Sequence, residues 1–97
     1  WVDASDIAYK KNVKDLKYGL AEVMKLQPRE FDMHQCKEHQ IGFVAQEIEK
    51  IIPEVVSGEE GKKGLSYGHL TAILVNAIKE QQKQIEELKS LIKKNYE

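Results

Sequence analysis

The sequence predicts an α+β domain, mainly helical: a small mixed body with short strands, plus a long C-terminal helix forming a parallel trimeric coiled coil. Three observations predict it. From Ser66 to Glu97 there is no proline and one glycine, Gly68, and seam residues recur at alternating steps of three and four. Between Asp15 and Tyr67, short apolar runs are cut by Pro28, by Pro53 and by the charged, glycine-bearing stretch Gly58 to Lys62. Finally, 97 residues allow one small domain, which buries only roughly 60–65% of its unfolded surface and gains from association.

The elements follow in chain order. Trp1 to Lys14 has no clean period; its apolar members are Val2, Ile7, Tyr9 and Val13. Asp15 is placed to cap a helix from Leu16 to about Leu26, with Leu16, Leu20, Val23 and Met24 on one side and Pro28 as its terminator. Arg29 to His34 alternates, Phe31 and Met33 against Glu30 and Asp32, as a short strand does. Gln35 to Gln40 is polar and reads as a loop, and Ile41 to Val44 is a short apolar run containing Gly42. Val44, Ile48, Ile51 and Ile52 have helical spacing up to Pro53. Glu54 to Ser57 and Lys63 to Tyr67 flank a turn whose glycines and charges suit a hairpin tip.

The last element is the clearest. Ser66 is its expected N-cap. Thr71, Ile78, Ile85 and Ile92 occupy heptad positions a, and Leu74, Gln81, Leu88 and Asn95 positions d. The outer faces carry Lys79, Glu80, Lys83, Glu86, Glu87, Lys89, Lys93 and Lys94, whereas Leu70 to Ile78 is apolar over a wider arc that also suits packing on the body. Roughly 42 Å of helix is more than so small a body can cover. Isoleucine at three of four a positions, with a half-polar d layer, points to three strands; Gln81 and Asn95 then meet their symmetry mates on the axis.

Composition excludes several classes. The chain has 15 Lys+Arg against 16 Asp+Glu, a net charge of -1, so it offers no basic footprint for nucleic acid. No run approaches 18 apolar residues, so no membrane-spanning helix is expected, and Trp1 to Ala4 lacks the apolar region of a signal peptide. The single cysteine, Cys36, allows no internal disulfide. His34, Cys36 and His39 lie close together without the ligand spacing of a structural zinc site, so no metal is expected, and no cofactor. Gly58, Gly61 and Gly64 lack the lysine and hydroxyl of a phosphate-binding loop, and no serine sits in a nucleophile elbow.

One segment carries possible chemistry: Ser5-Asp6-Ile7-Ala8-Tyr9-Lys10. A lysine acts as general base for a serine when desolvation lowers its pKa. Spacing of five places the two side chains on one face of neither a helix nor a strand, so the segment has to bend for Ser5 and Lys10 to meet. Lys11 is an equally basic neighbour. The alternative reading is that Ser5 or Asp6 caps a turn and both lysines are solvated.

Three blocks in order resemble one family. Ser5-Asp6 followed by Lys10-Lys11-Asn12-Val13 looks like the start of the self-cleaving C-terminal intramolecular chaperone domain of phage tail spikes and tail fibres. Endosialidase tail spikes are the best-known members, and myelin regulatory factor carries a related domain. Gly42-Phe43-Val44-Ala45-Gln46-Glu47-Ile48, with Ile52-Pro53-Glu54-Val55-Val56 after it, is similar to the family's core block. Leu65-Ser66-Tyr67-Gly68-His69-Leu70, running into Ala77-Ile78-Lys79-Glu80, resembles its entry into the terminal helix.

The resemblance implies a domain that trimerises and registers an N-terminal passenger fibre held in cis, then cuts itself free at the Ala4–Ser5 bond. Ser5 is then the nucleophile and Lys10 the general base of a single-turnover serine endopeptidase. Residues 1–4 become the remnant of the passenger, 5–66 the chaperone and autoprotease body, and 67–97 the coiled-coil helix with a seam of Leu74, Ile78, Gln81, Ile85, Leu88 and Ile92. Partners are copies of itself and the passenger, with no nucleic acid and no membrane. The expected setting is the host cytoplasm during virion assembly, the passenger ending in the virion tail and the released domain not. Many relatives carry arginine at the position of Ala8, and Asp6 matches the motif without a derived role. The competing readings are a non-cleaving trimerisation cap and a coiled-coil interaction module.

Overall fold

The computed structural model describes residues 2–96. Trp1, expected in the passenger remnant, and Glu97, expected at the end of the terminal helix, lie outside the described residues. The architecture is a small mixed body with a few short strands, from which one long helix extends. In chain order it comprises α1 (Leu20–Val23), β1 (Arg29–Asp32), β2 (His39–Gly42), α2 (Ala45–Glu49), β3 (Val56–Ser57), β4 (Gly64–Leu65) and α3 (Tyr67–Asn95). Short 3₁₀ turns span Ile7–Tyr9 and Pro53–Val55.

Two antiparallel hairpins make the β structure. In the first, Arg29 pairs with Gly42 and Asp32 with His39; in the second, Val56 pairs with Leu65. The second turns at Gly58 and Gly61, whose φ values of 95° and 88° lie where a side chain is strained. The expected loop over Gln35 to Gln40 is therefore shorter: His39 and Gln40 belong to β2, because their backbone pairs with Asp32 and Phe31.

The core lies where α2 and the Pro53–Val55 turn meet the first turns of α3. Ile48 and Ile52 are fully buried, with Val55, Leu70, Ile73 and Ala77 nearly so. Val44, Ile48 and Ile52 follow helical spacing, and α2 ends before Pro53, which opens the 3₁₀ turn at its first position. Two ion pairs tie the hairpins to α2: Arg29 of β1 donates to both carboxylate oxygens of Glu47, at 3.1 and 2.8 Å, and Lys63, just before β4, to both oxygens of Glu49, at 2.9 Å. Gly42 is buried under Tyr67, whose hydroxyl accepts from Phe43 N at 3.2 Å; a Cβ at Gly42 would overlap that hydroxyl.

The expected helix from Leu16 to Leu26 is corrected. Only Leu20–Val23 is helical, and Leu16 to Tyr18 runs along α3 in irregular backbone. The reason is competition for hydrogen bonds. In a helix, Leu16 O would take the N–H of Leu20, and Tyr18 O that of Glu22. Instead Asn76 Nδ2 on α3 donates to Leu16 O at 3.3 Å and to Tyr18 O at 2.8 Å, and Leu20 N donates to Glu80 Oε2 at 3.1 Å. Gly19 then starts the short helix in place of Asp15, its N–H donating to Glu22 Oε1 at 2.7 Å.

Ser66 stands at the N-cap of α3 without a side-chain capping bond. Buried residues on α3 are Leu70, Ile73 and Ala77, all in its first half. Beyond them the helix runs on for about 27 Å with its side chains exposed, among them Ile78, Ile85, Leu88, Leu91 and Ile92.

Candidate active site

The N-terminal segment bends so that Ser5 and Lys10 meet. Asp6 Oδ1 accepts from Ala8 N at 2.9 Å and caps the Ile7–Tyr9 turn, whose backbone bonds run from Tyr9 N to Asp6 O and from Lys10 N to Ile7 O, both 3.0 Å. At about three residues per turn, this one turn folds the chain back on itself. Lys10 then reaches Ser5: its Nζ donates to Ser5 Oγ at 2.8 Å. Asn12 follows with φ 55°, a left-handed conformation that asparagine tolerates better than most residues, and it redirects the chain past Lys11. Capping and the Ser5–Lys10 contact, set against each other in the sequence, therefore coexist, and Asp6 acquires a role as the cap that makes the contact possible.

Ser5 and Lys10 border a cleft of about 750 Å³. Ala4 lines it as well, together with Leu16, Tyr18, Glu54 and, from the first turn of α3, His69. Core residues Ile52 and Ile73 form part of its lining, so the cleft abuts the packed centre of the body. Tyr18 Oη donates to Glu54 Oε1 at 2.6 Å, and Lys17 Nζ lies 3.4 Å from Glu54 Oε2. The Tyr18 hydroxyl holds the Glu54 carboxyl below the usual carboxylate range, and the same bond pushes the Tyr18 phenol up. Glu54 and His69 stand inside two of the blocks that carry the family resemblance, but no period or spacing signalled that they meet Tyr18 at one cleft.

Chemically, a hydroxyl bonded to an amine nitrogen can lose its proton to that nitrogen when the amine is neutral. Water exclusion favours the neutral amine. In the single chain both Ser5 and Lys10 are exposed. The residues expected at a seam are also open: Leu74 (45%), Ile78 (64%), Ile85 (40%), Leu88 (58%) and Ile92 (56%) retain much of their exposure, and Gln81 is exposed. His34, Cys36 and His39 do not converge on one point. His39 bridges strand side chains instead, with Nδ1 2.9 Å from Asp32 Oδ1 and Nε2 3.0 Å from Glu30 Oε1, and the Glu30 and Asp32 bonds raise its pKa. Among the described residues, no group of three or more His, Cys, Asp or Glu side chains is placed to hold a metal, and no helix is long and apolar enough to cross a membrane.

Fold and site together define a class: a small α+β domain whose N-terminal turn pairs a serine with a lysine, and whose last helix outruns its own body. Residues 5–57 match the peptidase family described as chaperone of endosialidase. The match covers more than half of the chain, and the chain belongs to this family. It starts at Ser5 and takes in the Ser5–Lys10 turn, the first hairpin and α2. Membership supports a chaperone role for this domain and relates it to peptidases. A comparison with curated proteins finds no match.

Proposed function

We propose that this chain is a C-terminal intramolecular chaperone that assembles as a parallel homotrimer, brings three copies of a phage tail spike or fibre into register, and then releases itself by autoproteolysis at Ala4–Ser5. The observation that carries the reading is the 2.8 Å bond between Lys10 Nζ and Ser5 Oγ, in a family whose match begins at that serine. Ser5 Oγ attacks the Ala4 carbonyl carbon while Lys10, as the free amine, takes the hydroxyl proton. Lys10 returns that proton to the Ser5 nitrogen as the peptide bond breaks, leaving an ester on Ser5 Oγ that water hydrolyses. Residues 1–4 stay with the passenger, 5–66 form the body and 67–97 the coiled coil. The setting is the host cytoplasm during virion assembly, with the passenger going to the virion tail and the freed domain left behind.

The physics of assembly supports this order of events. Bringing three chains into register carries an entropic cost before contacts reward it, and a C-terminal coiled coil raises the chains' effective concentration. Cleavage afterwards removes the path back, so the passenger is held kinetically. On this reading assembly also covers the exposed Ser5–Lys10 pair and excludes water from the reacting groups.

The exposure of Ser5 and Lys10 favours a second reading, a trimerisation cap that does not cut, or a module whose α3 pairs with a partner helix. One experiment separates them. Trp1 is the only tryptophan, so cutting at Ala4–Ser5 removes all indole fluorescence from the folded fraction. The proposal expects a trimer by sedimentation, loss of tryptophan from it, and slowing of that loss when Ile85 and Leu88 are both changed to glutamine. A trimer that keeps its tryptophan indicates the cap. A monomer, or an Ile85/Leu88 variant that is monomeric yet cuts at the normal rate, overturns the coupling of cleavage to assembly.

A further inference from the structure

One wall of the cleft that Ser5 and Lys10 border is built on a backbone segment that has surrendered its own helical hydrogen bonds to α3. Leu16 and Tyr18 line the cleft, and their carbonyls accept from one side chain, Asn76, at 3.3 and 2.8 Å. One turn further along α3, Glu80 Oε2 accepts from Leu20 N at 3.1 Å, and its carboxylate lies so close to Gly19 that a Cβ there would overlap it. Asn76 and Glu80 are four residues apart and share a helix face. With buried Ile73 and Ala77 this face is the one turned to the body, next to the face that carries Leu74, Ile78 and Gln81.

We infer that Asn76 and Glu80 are positioning residues for the self-cleavage proposed above: they fix the Leu16–Leu20 wall against α3, and through it the shape of the cleft in which the Ala4–Ser5 bond reacts. Neither side chain is needed to fill the core. Both are polar and offer the segment only hydrogen bonds, so replacing them releases the wall while leaving the packed residues in place. The inference rests on the self-cleavage reading for its effect on rate, but the clamp itself is observable without it. The same helix thus presents the assembly seam on one face and holds a wall of the cleft with the next. A helix set in place by its neighbours sets the cleft as well.

The test uses the 97-residue chain with Asn76→Leu, Glu80→Leu and Glu80→Gln. Leucine removes the donor or acceptor at similar size, whereas glutamine at 80 retains an oxygen for Leu20 N. Two quantities are read: the rate of tryptophan release, and the rate of trypsin cleavage after Lys14 and Lys17, mapped by mass spectrometry. Expected are a slowing of release by roughly 10–100-fold in both leucine variants, the range that follows from a misplaced reacting group, faster trypsin cleavage at Lys17, an unchanged sedimentation coefficient, and rescue of both readouts in Glu80→Gln. Unchanged trypsin cleavage in both leucine variants overturns the clamp. Faster trypsin cleavage with an unchanged release rate overturns the positioning role. A wild-type chain that assembles but never releases tryptophan overturns the self-cleavage reading and the rate claim with it, while the trypsin map alone then decides the clamp.

Discussion

Changing Leu88 to alanine distinguishes a helix that stands alone from one that is shared. In the single chain Leu88 is 58% exposed and sits past every buried residue of α3. Fully burying a leucine side chain is worth about 1.5–3 kcal/mol, so a residue less than half buried loses about 1 kcal/mol at most on truncation. Alanine's higher helix propensity offsets part of that. At a d position of a trimer the same side chain is buried, and Leu→Ala costs about 2–5 kcal/mol per chain. Taken three times, the lower bound of about 6 kcal/mol per trimer changes the three-body dissociation constant by about 10⁴-fold. The concentration for half-assembly then rises about 100-fold, since it scales as the square root of that constant. Sedimentation over a concentration series reads this shift, and denaturant melts of each species read the body's stability. Ile48→Ala is the control: its side chain is fully buried in the body, so it destabilises the body by about 2–5 kcal/mol whatever the assembly state. A Leu88→Ala chain whose melting is concentration-independent and within about 0.5 kcal/mol of wild type, the range of ordinary surface changes, refutes the shared seam.

Two further outcomes follow from the seam and from the first hairpin. Gln81→Ile should raise the thermal midpoint of the assembled form and broaden the distribution of oligomers, because a buried polar layer fixes register at a cost in stability; a lower midpoint with an unchanged trimer contradicts the layer assignment. His39 has its pKa raised by Glu30 and then Asp32, so its contribution to the hairpin is fully present below about 6.5, its reference value, and is lost as pH rises through the raised folded value. Amide exchange of β1 and β2 should therefore be better protected, relative to a His39→Gln chain, at pH 5.5 than at pH 8.5. Strong salt should shrink the difference, since all three side chains are exposed. A His39→Gln chain with the same pH dependence as wild type removes this account.

What could be read in the sequence divides along the range of the forces. Elements held by their own local pattern were legible: the long helix α3, the helical spacing that sets Ile48 and Ile52 in the core, and the glycine-marked turn between β3 and β4. The helix expected over Leu16 to Leu26 was not, because its apolar spacing was genuine but its carbonyls had better partners. Asn76 and Glu80 lie some 60 residues away, and no local pattern announces that they will claim the backbone of Leu16 to Leu20. His39 and Gln40 read as loop for a related cause, since strand pairing with Asp32 and Phe31 outweighs local polarity. At the site, Ser5 and Lys10 were identified as a pair, but a spacing of five matches neither regular period. Asp6 was read as a possible cap, but as an alternative to the pair; its carboxylate caps a single 3₁₀ turn and so closes the distance. Tyr18, Glu54 and His69 come to the cleft from separate parts of the chain, which only the tertiary structure reveals.

The central claim is that Ser5 and Lys10 cut the bond before Ser5 in the assembled domain. The most direct measurement is intact mass with N-terminal sequencing of the 97-residue chain and of Ser5→Ala, Lys10→Ala and Lys11→Ala, each incubated as the assembled species across pH 6 to 10. The account predicts that wild type and Lys11→Ala lose Trp1 to Ala4 and begin at Ser5. It predicts that Ser5→Ala and Lys10→Ala stay whole while keeping the same sedimentation coefficient. Full cleavage in Lys10→Ala, equal loss of activity from both lysine changes, or an assembled wild-type chain that remains intact at every pH contradicts it.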